Sequence, residues 1–144
     1  MKIIISDLKK DIQNTRKREI ESREDVFELV DTFYAKVRED DLLGPIFNKH
    51  IKDWPKHLER LTDFWETNLF FVRKFKGNPM LKHRLVDAAS NYTINKMHFG
   101  VWLNHWFQTI DGLFVGEKAN IAKNRARNMG TFFHISMFQG RPKS

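Results

Sequence analysis

The sequence predicts an all-α fold, and three observations predict it. Apolar residues recur at three- and four-residue spacing over long stretches, and no segment of useful length alternates with period two. Aromatic residues make up 13% of the chain (thirteen Phe, four Trp, two Tyr), which implies a wide aromatic interior. Only seven Gly and four Pro punctuate the 144 residues, few for a turn-rich β architecture. A chain of this length is expected to form one domain and to bury roughly two thirds of its unfolded surface. Internal repeats and low-complexity segments are absent from the sequence.

The elements follow in order. Residues 7 to 21 are charged and weakly periodic and predict a lead-in helix, so residues 1–22 read as an N-terminal extension. Ser22-Arg23-Glu24-Asp25 resembles a capping box with Asp in place of Glu or Gln. Val26, Leu29, Val30, Phe33 and Val37 then mark one face of a helix over 24–39, with Tyr34 at its edge. Gly44-Pro45 cannot continue that helix. Asp53 is a suitable N-cap and Pro55 fits a first turn. His57, Leu61, Phe64, Trp65, Asn68 and Val72 share a face over about 54–73. Gly77-Asn78-Pro79 opens a short apolar helix that dissolves by "DAASN". From about 93 a long helix places Phe99, Trp102, Leu103, Trp106, Ile110 and Leu113 on one stripe, and Gly116 stops it. The last helix, about 117–138, uses Ile121, Ala122, Ala126, Met129, Phe133 and Met137 and ends at Gly140, leaving 141–144 as a tail.

Composition removes several function classes. The chain has no cysteine, so disulfides, thiolate metal sites and a cysteine nucleophile are excluded. The apolar run in "MKIIISDLKK" is too short for a signal peptide, and no stretch approaches the ~20 apolar residues of a membrane span. A cytoplasmic protein without a membrane partner is expected. The net charge of +7 is scattered rather than blocked, which favours a solvated basic surface over nucleic-acid binding. The six histidines form no HExxH or His-x-x-x-His pair, and GxGxxG, P-loop and GxSxG patterns are missing.

The stretch "GNPMLKHRL" puts a single histidine, His83, on a short helix with no second ligand at metal spacing. Haem needs one axial protein ligand and an otherwise apolar slot, which a lone neutral imidazole would suit. Tyr34 and His57, on other helices, are placed to act on a ligand bound opposite it. On spacing alone, a lone histidine such as His83 is more often a hydrogen-bonded core or surface residue than a ligand.

Four motifs in order extend this reading. "FYAKVREDDLLGPIFN" (33–48), "WPKHLERLTDFW" (54–65), "GNPMLKH" (77–83) and Trp102-Leu103 together resemble the third group of truncated haemoglobins, the bacterial single-domain kind, from residue 24 to the end. The resemblance implies a truncated globin-like helical sandwich over 23–140, with a short proximal helix between two long ones. It implies haem b with His83 as the iron ligand. Tyr34, His57 and Trp102 then take the distal positions that act on the bound ligand: a hydrogen-bonding tyrosine, a gating histidine and an indole donor. Phe47 packs on the haem plane and Leu61 is an apolar distal neighbour. Phe33, Phe64, Met80 and Phe99 complete the expected cofactor contacts, and Arg60 is the candidate propionate partner, since a guanidinium fork suits carboxylates. The implied ligands are O2, NO or CO. Storage, sensing, NO dioxygenase-like detoxification and peroxidase-like work all remain open, and turnover would need an external reductase. The alternative is a haem-free basic adaptor or nucleic-acid-binding domain on the same scaffold. The connection "VDAASNYTINKMHFG" departs from the family's proline-rich run, and the double-glycine motifs of the other groups are absent.

Overall fold

A computed structural model describes residues 17–71, 79–89 and 94–142 of the chain. Among these, six helices follow one another: α1 (Arg23–Glu39), α2 (Gly44–His50), α3 (Trp54–Phe70), α4 (Pro79–Ala89), α5 (Lys96–Leu113) and α6 (Glu117–Gln139). Helix α1 packs on both α3 and α5, α5 packs on α6, and the short α4 packs on α6. The fold class expected from sequence is the one observed. None of the described helices is long and apolar enough to cross a membrane.

The apolar stripe read from sequence is what α1 buries. Val26, Leu29, Val30, Phe33 and Val37 are all at most 1% exposed. Ser22 caps the helix by accepting from the Asp25 N–H at 3.3 Å, and Asp25 reaches back to the Glu21 N–H at 2.9 Å rather than to the cap residue itself. That satisfies two backbone donors at the helix start and leaves the carboxylate of Asp25 to pair with Arg18.

Three expectations are corrected. Residues 17–21 of the expected lead-in helix are extended; residues 7–16 lie outside the described part. The Arg18 carbonyl accepts from the Val115 N–H at 3.1 Å, and Ile20 is 1% exposed. A buried apolar anchor and a tertiary hydrogen bond override a weak helical period. The second correction is α2, where the sequence reading had only a break. Pro45 sits in the first turn of that helix, where its missing N–H costs nothing. Gly44 is required because a Cβ there would lie 2.6 Å from the Arg38 carbonyl oxygen. Helix α3 also ends at Phe70, short of the expected 73, because Phe71 turns left-handed (φ 59°).

Asp53 caps α3 through the Lys56 N–H at 3.1 Å, as its position suggested. Helix α5 is started by Asn95, whose side chain accepts from Met97 while His98 Nδ1 accepts from the Asn95 N–H at 3.0 Å. Between α5 and α6 the chain turns at Gly116 with φ +101°, and a Cβ there would collide with the Glu19 side chain. Gly116→Ala should therefore cost about 1–3 kcal/mol. Gly112→Ala lies inside α5 with nothing within 4 Å of the new Cβ and should stabilise by about 0.4–1 kcal/mol. Urea midpoints of the two variants check the contrast, and equal shifts would contradict the turn assigned to Gly116.

Candidate functional site

The helices enclose a largely apolar cavity of about 660 Å³. Phe33 and Tyr34 reach it from α1, Phe47 from α2, His57, Arg60, Leu61 and Phe64 from α3, His83 from α4, and Phe99 and Trp102 from α5. The chain thus brings together ten of the eleven residues singled out in the sequence. The eleventh, Met80, belongs to α4, but its side chain lies outside the described part.

Tyr34 is the centre of one wall. It is 7% exposed, and its ring meets those of Phe33, Phe47, Trp54 and His57 at 4.8, 5.7, 5.6 and 5.5 Å. Most of these contacts are edge-on, the geometry that ring quadrupoles favour. Burial pushes the Tyr34 hydroxyl well above its ordinary range, and the Trp102 indole, hydrogen-bonded to it, opposes the shift. The hydroxyl therefore stays protonated and is a donor at every physiological pH. Trp102 is held by Phe33 at 5.6 Å, nearly perpendicular, and by Trp106, nearly parallel at 6.3 Å.

His57 is held neutral by burial as well, with neighbouring positive charge adding to it. Burial first, then the positive charges of Lys82 and Arg60, pull its imidazole from 6.5 down to about 4. Its Nε2 is buried without a hydrogen-bond partner among the described residues. A buried unpaired polar atom in a native protein asks for an explanation, and a ligand in the cavity would supply one. Nε2 of His50, at the end of α2, is in the same condition and also lines the cavity.

On α4, His83 stacks on Phe133 of α6, centroids 4.2 Å apart and planes 16° from parallel. That contact fixes the plane of the ring. Among the described residues, no three or more His, Cys, Asp or Glu side chains gather as a ligand set for a bare ion. One imidazole beside an apolar slot suits instead a planar group that brings its own metal. The mouth carries exposed Lys52, Lys56, Arg60 and Lys82, which suit a cofactor with acidic substituents. The residues present fit haem.

Other lining residues were not singled out as site residues. His50, Lys82, Ile94 and His98 line the cavity, as do Met129, Phe133 and Met137 of α6. The α6 side chains were visible as an apolar stripe, but a stripe facing a cofactor and one facing a core have the same period. His98 also closes a capping box, with imidazole in place of Glu at the third helical position.

No family model matches the chain. A curated relative, the group 3 truncated haemoglobin Ctb of Campylobacter jejuni, is 28% identical over 122 residues, spanning 82% of this chain and 92% of its own length. The crystal structure of the group III truncated haemoglobin from Campylobacter jejuni superposes with a TM-score of 0.76 at 27% identity, covering 88% of this chain and 99% of that one. The likeness carried by the four sequence motifs therefore holds in both overall sequence and fold.

The His57 geometry makes a pH prediction. Unfolded, its imidazole protonates near 6.5; folded, only near 4. Between those values the unfolded state binds more protons, so the contribution is intact above pH 6.5 and is lost as pH falls towards 4. Urea unfolding of the wild type and His57→Gln at pH 7, 6 and 5 should show a shallower acid loss in the variant. Equal slopes would mean that His57 is solvated and outside the pocket.

Proposed function

We propose that this chain, similar in sequence and fold to group III truncated haemoglobins, binds one haem b in the apolar cavity and receives a small diatomic ligand (O2, NO or CO) there. The observation that carries this reading is convergence. His83, Tyr34, His57 and Trp102, drawn from four helices, line one cavity of about 660 Å³. Haem, when bound, supplies an iron centre to which such a ligand can coordinate reversibly.

The roles of the side chains follow from their surroundings. His83 would offer its imidazole to the haem iron, its ring plane held by Phe133. Arg60 would pair with a carboxylate of the haem, with Lys82 also lining the cavity. Phe33, Phe47, Leu61, Phe64 and Phe99 line the cavity and would exclude water and pack against the haem. Tyr34 donates its hydroxyl proton in a hydrogen bond to the ligand. Trp102, bonded to the Tyr34 hydroxyl, orients it. His57, neutral and apolar-packed, gates access from solvent. NO dioxygenase-like or peroxidase-like turnover would draw electrons from an external reductant.

Three measurements test the reading. Haem titrated into apo-protein should bind at about one per chain and raise the melting midpoint, because a ligand of the folded state alone shifts the equilibrium. The same titration separates this reading from a haem-free adaptor, whose midpoint would not move. His83→Ala should lose haem and recover part of it with added imidazole, whereas His98→Ala should keep its spectrum; the reverse pattern would move the axial ligand to α5.

Tyr34→Phe tests the ligand side. A hydrogen bond is worth roughly 0.5–1.5 kcal/mol net and more to a partly charged acceptor, and about 1.4 kcal/mol is tenfold. O2 release should speed up roughly 3- to 30-fold. CO, a poorer acceptor, should change much less. Trp102→Phe should act in the same direction, and the double variant should depart from additivity. Stopped-flow release of both gases decides it, and equal effects on O2 and CO would remove Tyr34 from the role.

A further inference from the structure

We propose that Arg141 and Asp87 form a latch that fixes the helix carrying His83, which makes Arg141 a positioning residue for the pocket. The inference rests on the reading of His83 as the axial ligand for its functional meaning, and on geometry alone for the latch. Asp87 lies one turn beyond His83 on α4, and its side chain is 1% exposed. Arg141, just past the end of α6, grips both of its oxygens. Nε donates to Oδ2 at 2.9 Å and an η nitrogen to Oδ1 at 3.0 Å. The same η nitrogen donates to the Ile94 carbonyl oxygen at 2.5 Å. One guanidinium therefore joins α4, the segment that leads into α5 and the turn that closes α6.

Two further observations show α6 and the turn after it pressed onto α4. A Cβ on Gly140 would stand 3.1 Å from Cδ of Arg84, tighter than side chains ordinarily tolerate. His83 itself stacks on Phe133, two turns before the end of α6. The helix is thus held to α6 at an aromatic point and at an ionic one, with His83 and Asp87 on neighbouring turns.

The helix needs such help. At eleven residues, α4 is too short to be stable alone, and Leu85 is 61% exposed, so part of its apolar surface buries nothing. A carboxylate as buried as that of Asp87 cannot tolerate loss of its partner, because the uncompensated charge costs more than the pair contributes. Lysine can substitute only in part, since it keeps the charge but lacks the fork that meets two carboxylate oxygens and a carbonyl together. Haem retention and the angle of the imidazole to the iron should both depend on a contact made beyond the last helix.

The experiment compares wild type with Arg141→Gln, Arg141→Lys, Asp87→Asn and Arg18→Gln. The last breaks another pairing of arginine with a buried aspartate, Arg18 with Asp25, and controls for general loss of stability. Amide hydrogen exchange of the apo-proteins should show protection over 79–89 falling about tenfold or more, relative to α1 and α3, in Arg141→Gln but not in Arg18→Gln. After haem loading, Arg141→Gln should release haem faster to excess apomyoglobin and should shift or broaden the iron–histidine stretching band in the resonance Raman spectrum. Arg141→Lys should recover only part of each. The double variant Asp87→Asn/Arg141→Gln should be no worse than the poorer single one, because the two residues act as one unit. An unchanged α4 exchange pattern together with an unchanged Raman band in Arg141→Gln would overturn the latch. If no protein takes up haem while α4 exchange still responds to Arg141, the latch stands and the cofactor reading falls.

Discussion

The arrangement depends first on where Trp106 can place its ring and its N–H. The residue is 1% exposed, so its indole proton must find an acceptor inside the protein, and it finds the Ala122 carbonyl of α6 at 3.1 Å. The ring stacks on Trp65 of α3 with centroids 4.5 Å apart and meets Phe33 of α1 edge-on at 4.9 Å. Four helices are thereby referred to one side chain. Such aromatic pairs add roughly 0.5–1.5 kcal/mol each beyond the area they bury. Their larger effect is geometric. Phe33 precedes Tyr34, and Trp102 lies one turn before Trp106, so the contacts that fix the core also aim the neighbouring hydroxyl and indole at the cavity.

The cavity separates charge from its interior by the same economy of placement. Exposed cations stand at the mouth, and behind them two polar groups, Tyr34 and His57, are both held neutral by burial. Lys82 and Arg60 reinforce this, because each positive charge at the rim makes a second one on His57 less favourable. Neutral groups can be kept dry at much lower cost than ions. A dry donor is also a stronger one, since little competes with it for its acceptor.

Much of this was legible in the sequence, for reasons that differ by residue. Ser22 and Asp53 marked helix starts because capping is local chemistry, and the α1 face was readable because a 3.6-residue period survives any tertiary arrangement. The motif residues could be assigned to one pocket only through resemblance, since spacing alone leaves a haem-facing Phe47 and a core Phe47 alike. What escaped was non-local. The extended run at 17–21 is decided by the distant Val115, and the His98 cap by an imidazole doing a carboxylate's work. The Asp87–Arg141 pair spans 54 positions, and no local pattern in either segment announces it. Gly44-Pro45 was read as an ending and is also a beginning, because a proline that cannot sit inside a helix is well suited to its first turn.

Arg38 lies outside the cavity lining, yet its guanidinium rests 4.4 Å above the Trp54 ring, and Trp54 in turn backs both Tyr34 and His57. The indole is 9% exposed under that cover. Attraction between partial charges scales inversely with the local dielectric, which rises wherever water can penetrate. A surface cation held over an aromatic face therefore acts as insulation. The field that Tyr34 can exert on whatever occupies the cavity is set in part by a side chain on the far side of the wall that does not line the cavity itself.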